Sequence, residues 1–456
     1  MTLQVQPKIT LRHMSSRLVK LALPVAIQSS LVAILALADV LMVSDFGKEA
    51  TAAVGIASKW HFVAIMIMAG LSTANGTLVS QYWGKKDSTT AKTVTLQTIR
   101  IGIWILIPVT VIITILSPLI MLLQTSDETV ISLGSDYLWY SFPVLILTHI
   151  IIVIESSMRS TNDAMTPFFM AAITVVLNIS LNFWLIKGGL GVEPMGVAGA
   201  ALATTISRFV QVVIMLSYIQ INQHWLMTSK VISDREKIRL SFNKLAVPTT
   251  TNALVWAIGT LTYQMIFGQM GTTELAVFSM LGPFESLCYS VFFGIAVACS
   301  VLTGQSLGRE DFLDAIRMSR LFIKLVFCIG VFLGVGLFIS RQWLVVWLNL
   351  DNAEFYPLAL PAISILCTVI WLRMLNLIII NGVLRAGGDS NFCLKMDFIA
   401  MWIVGIPITA YGAIIAELNF TYVYFLLVSE EVVKFLLCFH RYMKLKWVNN
   451  LTLTNS

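Results

Sequence analysis

Charge is the first thing this sequence lacks. Only 12% of its 456 residues are Asp, Glu, Lys or Arg, against roughly 25% in a soluble domain. Hydrophobic residues make up 57%, and the mean hydropathy is +0.84. A chain of this kind would aggregate in water, so lipid is its expected solvent. Inside lipid the polar backbone must find internal partners, which leaves helices or closed barrels. Barrel strands alternate in polarity over about ten residues. Here the apolar runs are long and continuous, as at Ile101–Leu123 and Leu325–Ser340. An all-α membrane protein is expected.

Other absences narrow the field. The six cysteines, Cys288, Cys299, Cys328, Cys367, Cys393 and Cys438, contain no C-x-x-C pair. Nearly all lie in or beside apolar segments, so they read as small buried hydrophobes, with no disulfide frame, metal site or cofactor. There is no G-x-x-x-x-G-K-[ST] loop, which argues against ATP-driven transport by this chain alone and towards an ion gradient. The net charge of +6 reads as lysines and arginines in cytoplasmic loops, and no nucleic-acid partner is expected. No cleavable signal peptide is evident; the first twenty residues are polar and basic, so the first apolar segment is expected as a retained helix.

A spanning helix needs about twenty apolar residues. Twelve such segments are predicted, near 18–43, 51–80, 95–123, 130–157, 165–187 and 195–220, then 244–269, 274–303, 316–347, 355–384, 392–416 and 420–443. The polar stretch 222–243 reads as a cytoplasmic linker between an N-terminal lobe (1–221) and a C-terminal lobe (244–456) that ends in a short cytoplasmic tail. Basic residues gather in alternate connections: Lys8, Arg12, Arg17 and Lys20; Lys85, Lys86 and Lys92; Arg159; Lys230, Arg235, Lys237, Arg239 and Lys244; Arg309, Arg317 and Arg320; Arg385 and Lys395; Lys444 and Lys446. The loops between them, such as Gln124–Glu128 and Gly271–Glu274, are poor in cations. Both termini are therefore expected in the cytoplasm. Arg341 is an exception to the pattern.

The chain also repeats itself. Lys20-Leu21-Ala22-Leu23-Pro24 aligns with Lys244-Leu245-Ala246-Val247-Pro248. At the same shift of 224, Gly47 meets Gly271, Gly70 meets Gly294, Gln81 meets Gln305, Gly84 meets Gly308 and Asp87 meets Asp311. Arg159-x-x-x-Asp163 and Arg385-x-x-x-Asp389 fit at a shift of 226. Chance rarely matches proline, glycine, glutamine and aspartate in one register. Two halves of six helices enter the membrane in the same direction, so an axis along the membrane normal should relate them, with substrate between.

These residues resemble a known family. Leu21-Ala22-Leu23-Pro24, Ala38-Asp39, the Gly47…Ala52-Ala53 turn, Gln81-x-x-Gly84 with Gln305-x-x-Gly308, Arg159-x-x-x-Asp163, and Asn178-x-x-x-Asn182 followed by Gly196-Val197-Ala198-Gly199-Ala200-Ala201-x-Ala203-Thr204 are similar to the multidrug and toxic compound extrusion (MATE) family. The likeness covers nearly the whole chain. It implies two pseudo-symmetric six-helix lobes in a V shape and cation-coupled efflux of amphiphilic or cationic compounds. It also implies a prokaryotic inner membrane and a monomer in the bilayer. Asp39 on the first helix and Glu285-Ser286-Leu287 on the eighth resemble the DinF-like branch. The NorM-like branch usually carries acids on helices seven and ten, which this chain lacks there.

Asp39 is the leading candidate residue. It lies in the apolar run Leu31–Val43, where a charge costs about 2.5–3.5 kcal/mol on insertion scales. Such a carboxylate is an expected proton carrier; the bland alternative is a polar residue near the outer interface, close to Asp45. Its repeat counterpart is Tyr263, so ion chemistry is expected in the first half, leaving the second for cavity and substrate contact. Pro24 lies about four turns before Asp39, and the resemblance makes it the point where helix one bends. Asn178 and Asn182 share one face of helix five, and the resemblance places both beside Asp39. Several relatives have a second aspartate where Asn182 stands, which weakens a sodium site and favours H+ over Na+. Tyr137 matches a tyrosine of that network, and Thr204 is expected to join it; plain helix–helix bonding is the alternative for each.

Glu285 and Arg373 both reach mid-membrane at 1.5 Å per residue and are expected to form a buried pair in the C-terminal lobe. Arg208 is equally deep, with no evident partner. Glu155 with Arg159, and Glu430 or Glu431 with Lys434, read as solvated pairs near cytoplasmic helix ends. His61 and His149 read as packed helix residues. The expected function is a proton-coupled drug antiporter that is not an enzyme, with sodium coupling or a lipid-precursor flippase as alternatives.

Overall fold

The computed structural model describes residues 11–44, 46–189, 191–228, 235–348 and 350–453. Lys8, Asp45 and Lys230 lie outside them. Every predicted apolar segment folds as a helix, as a lipid-embedded backbone must. The first series is α1 (Leu11–Ser44), α2 (Lys48–Gly84), α3 (Ser88–Ile115, prolonged by Ser117–Leu122), α4 (Glu128–Tyr140 and Val144–Ser160), α5 (Met165–Lys187) and α6 (Gly196–Ile221). The second is α7 (Arg235–Met270), α8 (Thr272–Gly308), α9 (Phe312–Ile339, prolonged by Arg341–Trp347), α10 (Tyr356–Leu384), α11 (Ser390–Ile415) and α12 (Phe420–Met443). The two arms of α4 meet at 48°, with Pro143 in the break.

By length and apolarity, nine helices among the described residues qualify as spans, and the two arms of α4 qualify together. The remaining two, α7 and α12, are long but more polar. In α12 the polar residues are Glu430, Glu431 and Lys434, which pair inside the bundle as described below. In α7, Thr249, Thr250, Thr251, Asn252 and Gln264 interrupt the span itself, and the first turns reach back into the stretch 222–243 read as linker. Ile238, Phe242 and Leu245 recur there on one face and pack on Ala91 and Val94 of α3. That amphipathic stripe is why the helix starts at Arg235 rather than near 244.

Packing crosses between the two series. Leu21, Ala22 and Val25 of α1 enter the core built by α8, α9 and α10. Phe242, Leu245 and Ala246 of α7 enter the one built by α2 and α3. The repeat is visible in these crossings. Gly70 lies against Thr250, and Gly294 lies against Ala26, itself the repeat partner of Thr250. At the far ends of α2 and α8, Gly84 abuts the backbone of Gln305 and Gly308 abuts that of Gln81. Gln81 Nε2 donates to the Ala386 carbonyl at 2.8 Å, and Gln305 Nε2 to the Ser160 carbonyl at 2.9 Å. A pseudo-two-fold axis relates the two sets.

The C-terminal tail folds back over this junction. Trp447 is fully buried and stacks on Tyr442 with ring centroids 6.0 Å apart. The Leu451 N–H donates to Gln81 Oε1 at 2.7 Å, and Lys85 Nζ donates to the Thr452 carbonyl at 3.2 Å. Arg441, at the end of α12, grips Asp389 through two bonds of 2.6 and 2.9 Å.

Candidate functional site

Three helices bring the predicted polar residues of the first half together. Asn182 of α5 donates one amide hydrogen to Asp39 Oδ1 at 2.5 Å and the other to Asn178 Oδ1 at 3.0 Å. Asn178 in turn donates to Thr204 Oγ1 of α6 at 3.4 Å, and Thr204 donates to its own Ala200 carbonyl. The chain Asp39–Asn182–Asn178–Thr204 therefore ties α1, α5 and α6. Both asparagines are almost fully buried, and Asn182 Oδ1 has no hydrogen-bond partner among the described residues. Tyr137 of α4 lies within electrostatic reach of Asp39 without bonding to it, and packs against His61. Pro24 is buried inside a continuous α1, one α-helical bond short.

A second polar chain lies deeper in the same helices. Arg159 Nη1 contacts Glu155 Oε2 at 3.3 Å and Gln28 Oε1 at 3.4 Å. Gln211 Nε2 donates to Glu155 Oε1 at 3.3 Å, and Gln211 Oε1 accepts from Arg208 Nη1 at 3.0 Å. Glu155 and Gln211 are buried, so the solvated reading of the Glu155–Arg159 pair fails: α2, α3 and α6 pack on that arm of α4. Arg208 has its partner after all, in Gln211. Position in the sequence placed the pair near a helix end, but it carried no information on which helices pack over it.

The C-terminal lobe holds a denser network. Arg373 of α10 contacts Glu285 of α8 at 2.7 Å, as expected, and also Glu431 of α12 at 3.6 Å. Tyr424 Oη donates to Glu285 at 3.0 Å, and Asn376 donates to Glu431 at 2.8 Å. Lys434 Nζ lies 2.6 Å from Glu430 and 3.4 Å from Asp397. Glu430 and Lys434 are buried, which again overturns the solvated reading. Asp397 accepts from Asn252 at 2.7 Å, and Asn252 accepts from Arg385 at 2.6 Å. Tyr263, the repeat counterpart of Asp39, donates to Glu430 at 2.5 Å. The second half thus regains a carboxylate at that level, supplied by α12 instead of α7.

Sequence reasoning missed Gln28, Gln211, Asn252 and Asp397. The repeat held a signal for two of them. Gln28 and Asn252 are 224 apart, and each accepts from the arginine of an Arg-x-x-x-Asp motif. His149 is fully buried against Gly102, with Nε2 3.2 Å from the Thr98 carbonyl, in keeping with a packed residue. Arg341 stacks over Phe338 at 4.2 Å, close to the chain and away from this network.

The intramembrane acids differ in one respect. Glu155, Glu285, Asp397, Glu430 and Glu431 each have a lysine or arginine within reach. Among the described residues no ion pair forms at Asp39, whose one side-chain bond comes from a neutral amide.

Comparison with known proteins agrees with this architecture. The MatE family profile matches residues 24–184 and again 248–411, two stretches that start 224 apart. The probable multidrug resistance protein YoeA of Bacillus subtilis is 25% identical over 373 residues, covering 79% of each chain. The multidrug resistance protein NorM of Vibrio parahaemolyticus is 25% identical over 402 residues, covering 86% of each. Among solved structures, the Vibrio cholerae MATE transporter VcmN superposes with a TM-score of 0.87 at 16% identity, over 96% of this chain and 98% of that one. A MOP superfamily transporter from Pyrococcus furiosus gives 0.84 at 17% identity, over 95% and 96%. With a family profile matching both halves and twelve helices in the arrangement of solved members, the chain belongs to the MatE family of multi-pass membrane transporters.

Proposed function

We propose that the protein is a multidrug efflux antiporter that exchanges protons for amphiphilic or cationic compounds, with Asp39 as the proton carrier. It would act as a monomer in a prokaryotic inner membrane, with both termini in the cytoplasm. The observation that carries the reading is that Asp39 forms no ion pair among the described residues: Arg208 lies within electrostatic range of it but bonds Gln211. A carboxylate inside the membrane whose one side-chain bond comes from a neutral amide gains from taking up a proton or a cation. The other interior acids each contact a lysine or arginine, with Arg159 on Glu155 and with Arg373 and Lys434 shared among four acids of the C-terminal lobe. The relatives named above, both called multidrug resistance proteins, support the substrate class.

In this reading Asp39 binds a proton from outside and releases it inside as the lobes rock. Asn182 follows the change: its amide hydrogen favours the charged carboxylate, and its free Oδ1 can accept from the protonated one. Pro24 lowers the cost of bending α1 between these states. Sodium remains a second reading, because the unpartnered Asn182 oxygen beside Asp39 is a hard ligand. One carboxylate and one free amide oxygen make a sparse sodium site, and proton coupling is the better fit.

Drug uptake into inverted vesicles separates these. An imposed pH gradient should drive uptake by the wild type, and Asp39→Asn should abolish it. Uptake driven equally well by a sodium gradient at constant pH would overturn the proton assignment. Undiminished pH-driven uptake in Asp39→Asn would remove the carboxylate from the mechanism.

A further inference from the structure

Arg320 and Lys324 stand four residues apart on α9 and share one face. Across from them, Phe439 and Met443 of α12 and Leu445 just beyond it form an apolar wall, completed by Ile323. The space between is a groove of about 230 Å³. None of the described residues covers it: Met443 is 62% exposed and Phe439 38%. Neither cation has an acidic partner among the described residues. Other basic residues of this end do have one: Arg309 lies 3.9 Å from Asp314 and Arg441 2.6 Å from Asp389.

Depth makes the free charges more telling. Lys324 is twelve residues inside α9, about 18 Å along the helix axis. Its side chain nonetheless lines a groove bounded by Leu445, which follows the last turn of α12. A lysine whose stem runs along an apolar wall towards a helix terminus presents its charge at the level expected for headgroups. The exposed Lys444 and Lys446 add positive potential at the same level. The groove therefore has two parts, a pair of unneutralised cations and an apolar channel open to the hydrocarbon.

An anionic amphiphile matches both parts. A free phosphate would satisfy the cations and leave the wall bare. A zwitterionic lipid would bring its own ammonium against two positive charges. We propose that this groove is a binding site for one anionic phospholipid of the adjoining leaflet, with its phosphodiester between Arg320 and Lys324 and an acyl chain along Phe439 and Met443. Basic pockets between membrane helices hold lipid headgroups in this way. Behind the groove, α9 and α12 are already joined by Tyr442 and Ser319, whose hydroxyls lie 3.2 Å apart. A bound lipid bridges the same two helices from outside, so it should stabilise the folded chain. This inference does not depend on what Asp39 couples to.

The test compares thermal unfolding in nanodiscs of phosphatidylcholine alone and of phosphatidylcholine with about one third phosphatidylglycerol. Phosphatidylglycerol should raise the Tm of the wild type by several degrees. The double variant Arg320→Gln/Lys324→Gln should lose at least half of that shift, and the charge-preserving Arg320→Lys/Lys324→Arg should keep it. A full shift in the double glutamine variant overturns the site. So does an equal shift produced by millimolar inorganic phosphate in phosphatidylcholine alone, which would make the site one for a free anion. Should the double variant not fold, phosphatidylglycerol retained on purification is counted for wild type and Lys324→Gln. A loss of half or more supports the site, and an unchanged count overturns it.

Discussion

The polar residues that mattered most were visible because they interrupt apolar helices. Asp39, Asn178 and Asn182 stand out against their neighbours, and the four-residue spacing of the asparagines put them on one face before any partner was known. Their contact with Asp39 and Thr204 follows from that face meeting α1 and α6. Residues near helix ends were harder to read. Glu155 and Lys434 read as solvated in the sequence, which shows distance from a helix end and not what packs over it. Both are buried. The single carboxylate beside Asn182 suggests a direct test. Asn182→Asp places a second carboxylate within bonding distance of Asp39. Two acids that close cannot both stay charged without a cation, so the variant should gain sodium-stimulated drug uptake at constant pH. Uptake that still ignores sodium would show that oxygen charge at this position does not select the ion.

Helix boundaries and extensions were the next tier. All twelve segments were legible as long runs between polar breaks, but α7 begins earlier than expected because its amphipathic first turns pack on α3. After α12 the sequence predicts a short cytoplasmic tail. Its burial was hidden because one tryptophan carries it. Trp447 is fully buried, its backbone presses on Gly387, and Leu451 and Thr452 reach α2. Truncating a buried aromatic of this size typically costs about 3–5 kcal/mol. Trp447→Ala should therefore lower the thermal midpoint in detergent markedly and expose the segment after Met443 to protease. Exposed Trp343, 80% accessible at the other end of the molecule, gives the control: Trp343→Ala should change neither. Equal behaviour of the two variants would mean the tail adds nothing to stability.

At the scale of the whole molecule, the repeat is more than a record of duplication, because it fixes how the two halves touch. The glycines and glutamines matched at a shift of 224 meet across the pseudo-axis: Gly84 on Gln305, Gly308 on Gln81. A sequence can show that such residues recur, yet not that each motif is the other's contact. The two halves differ in their polar interiors, where Tyr263 with Glu430 stands opposite Asp39 with Asn182, so the axis relates the scaffold without relating the charges. This symmetry of contact has a measurable consequence. A Cβ at Gly84 or at Gly308 would collide with backbone of the other half, an overpacking that typically costs about 1–3 kcal/mol. Gly84→Ala and Gly308→Ala should each lower the thermal midpoint, and by similar amounts. Gly336→Ala on α9 has open space around it and should be neutral or slightly stabilising, as expected for alanine in a helix. Because both clashes push the same two helix ends apart, the double variant should lose less than the sum of the singles. A silent Gly84→Ala beside a severe Gly308→Ala would break the equivalence, and strictly additive losses would mean that the two crossings yield independently.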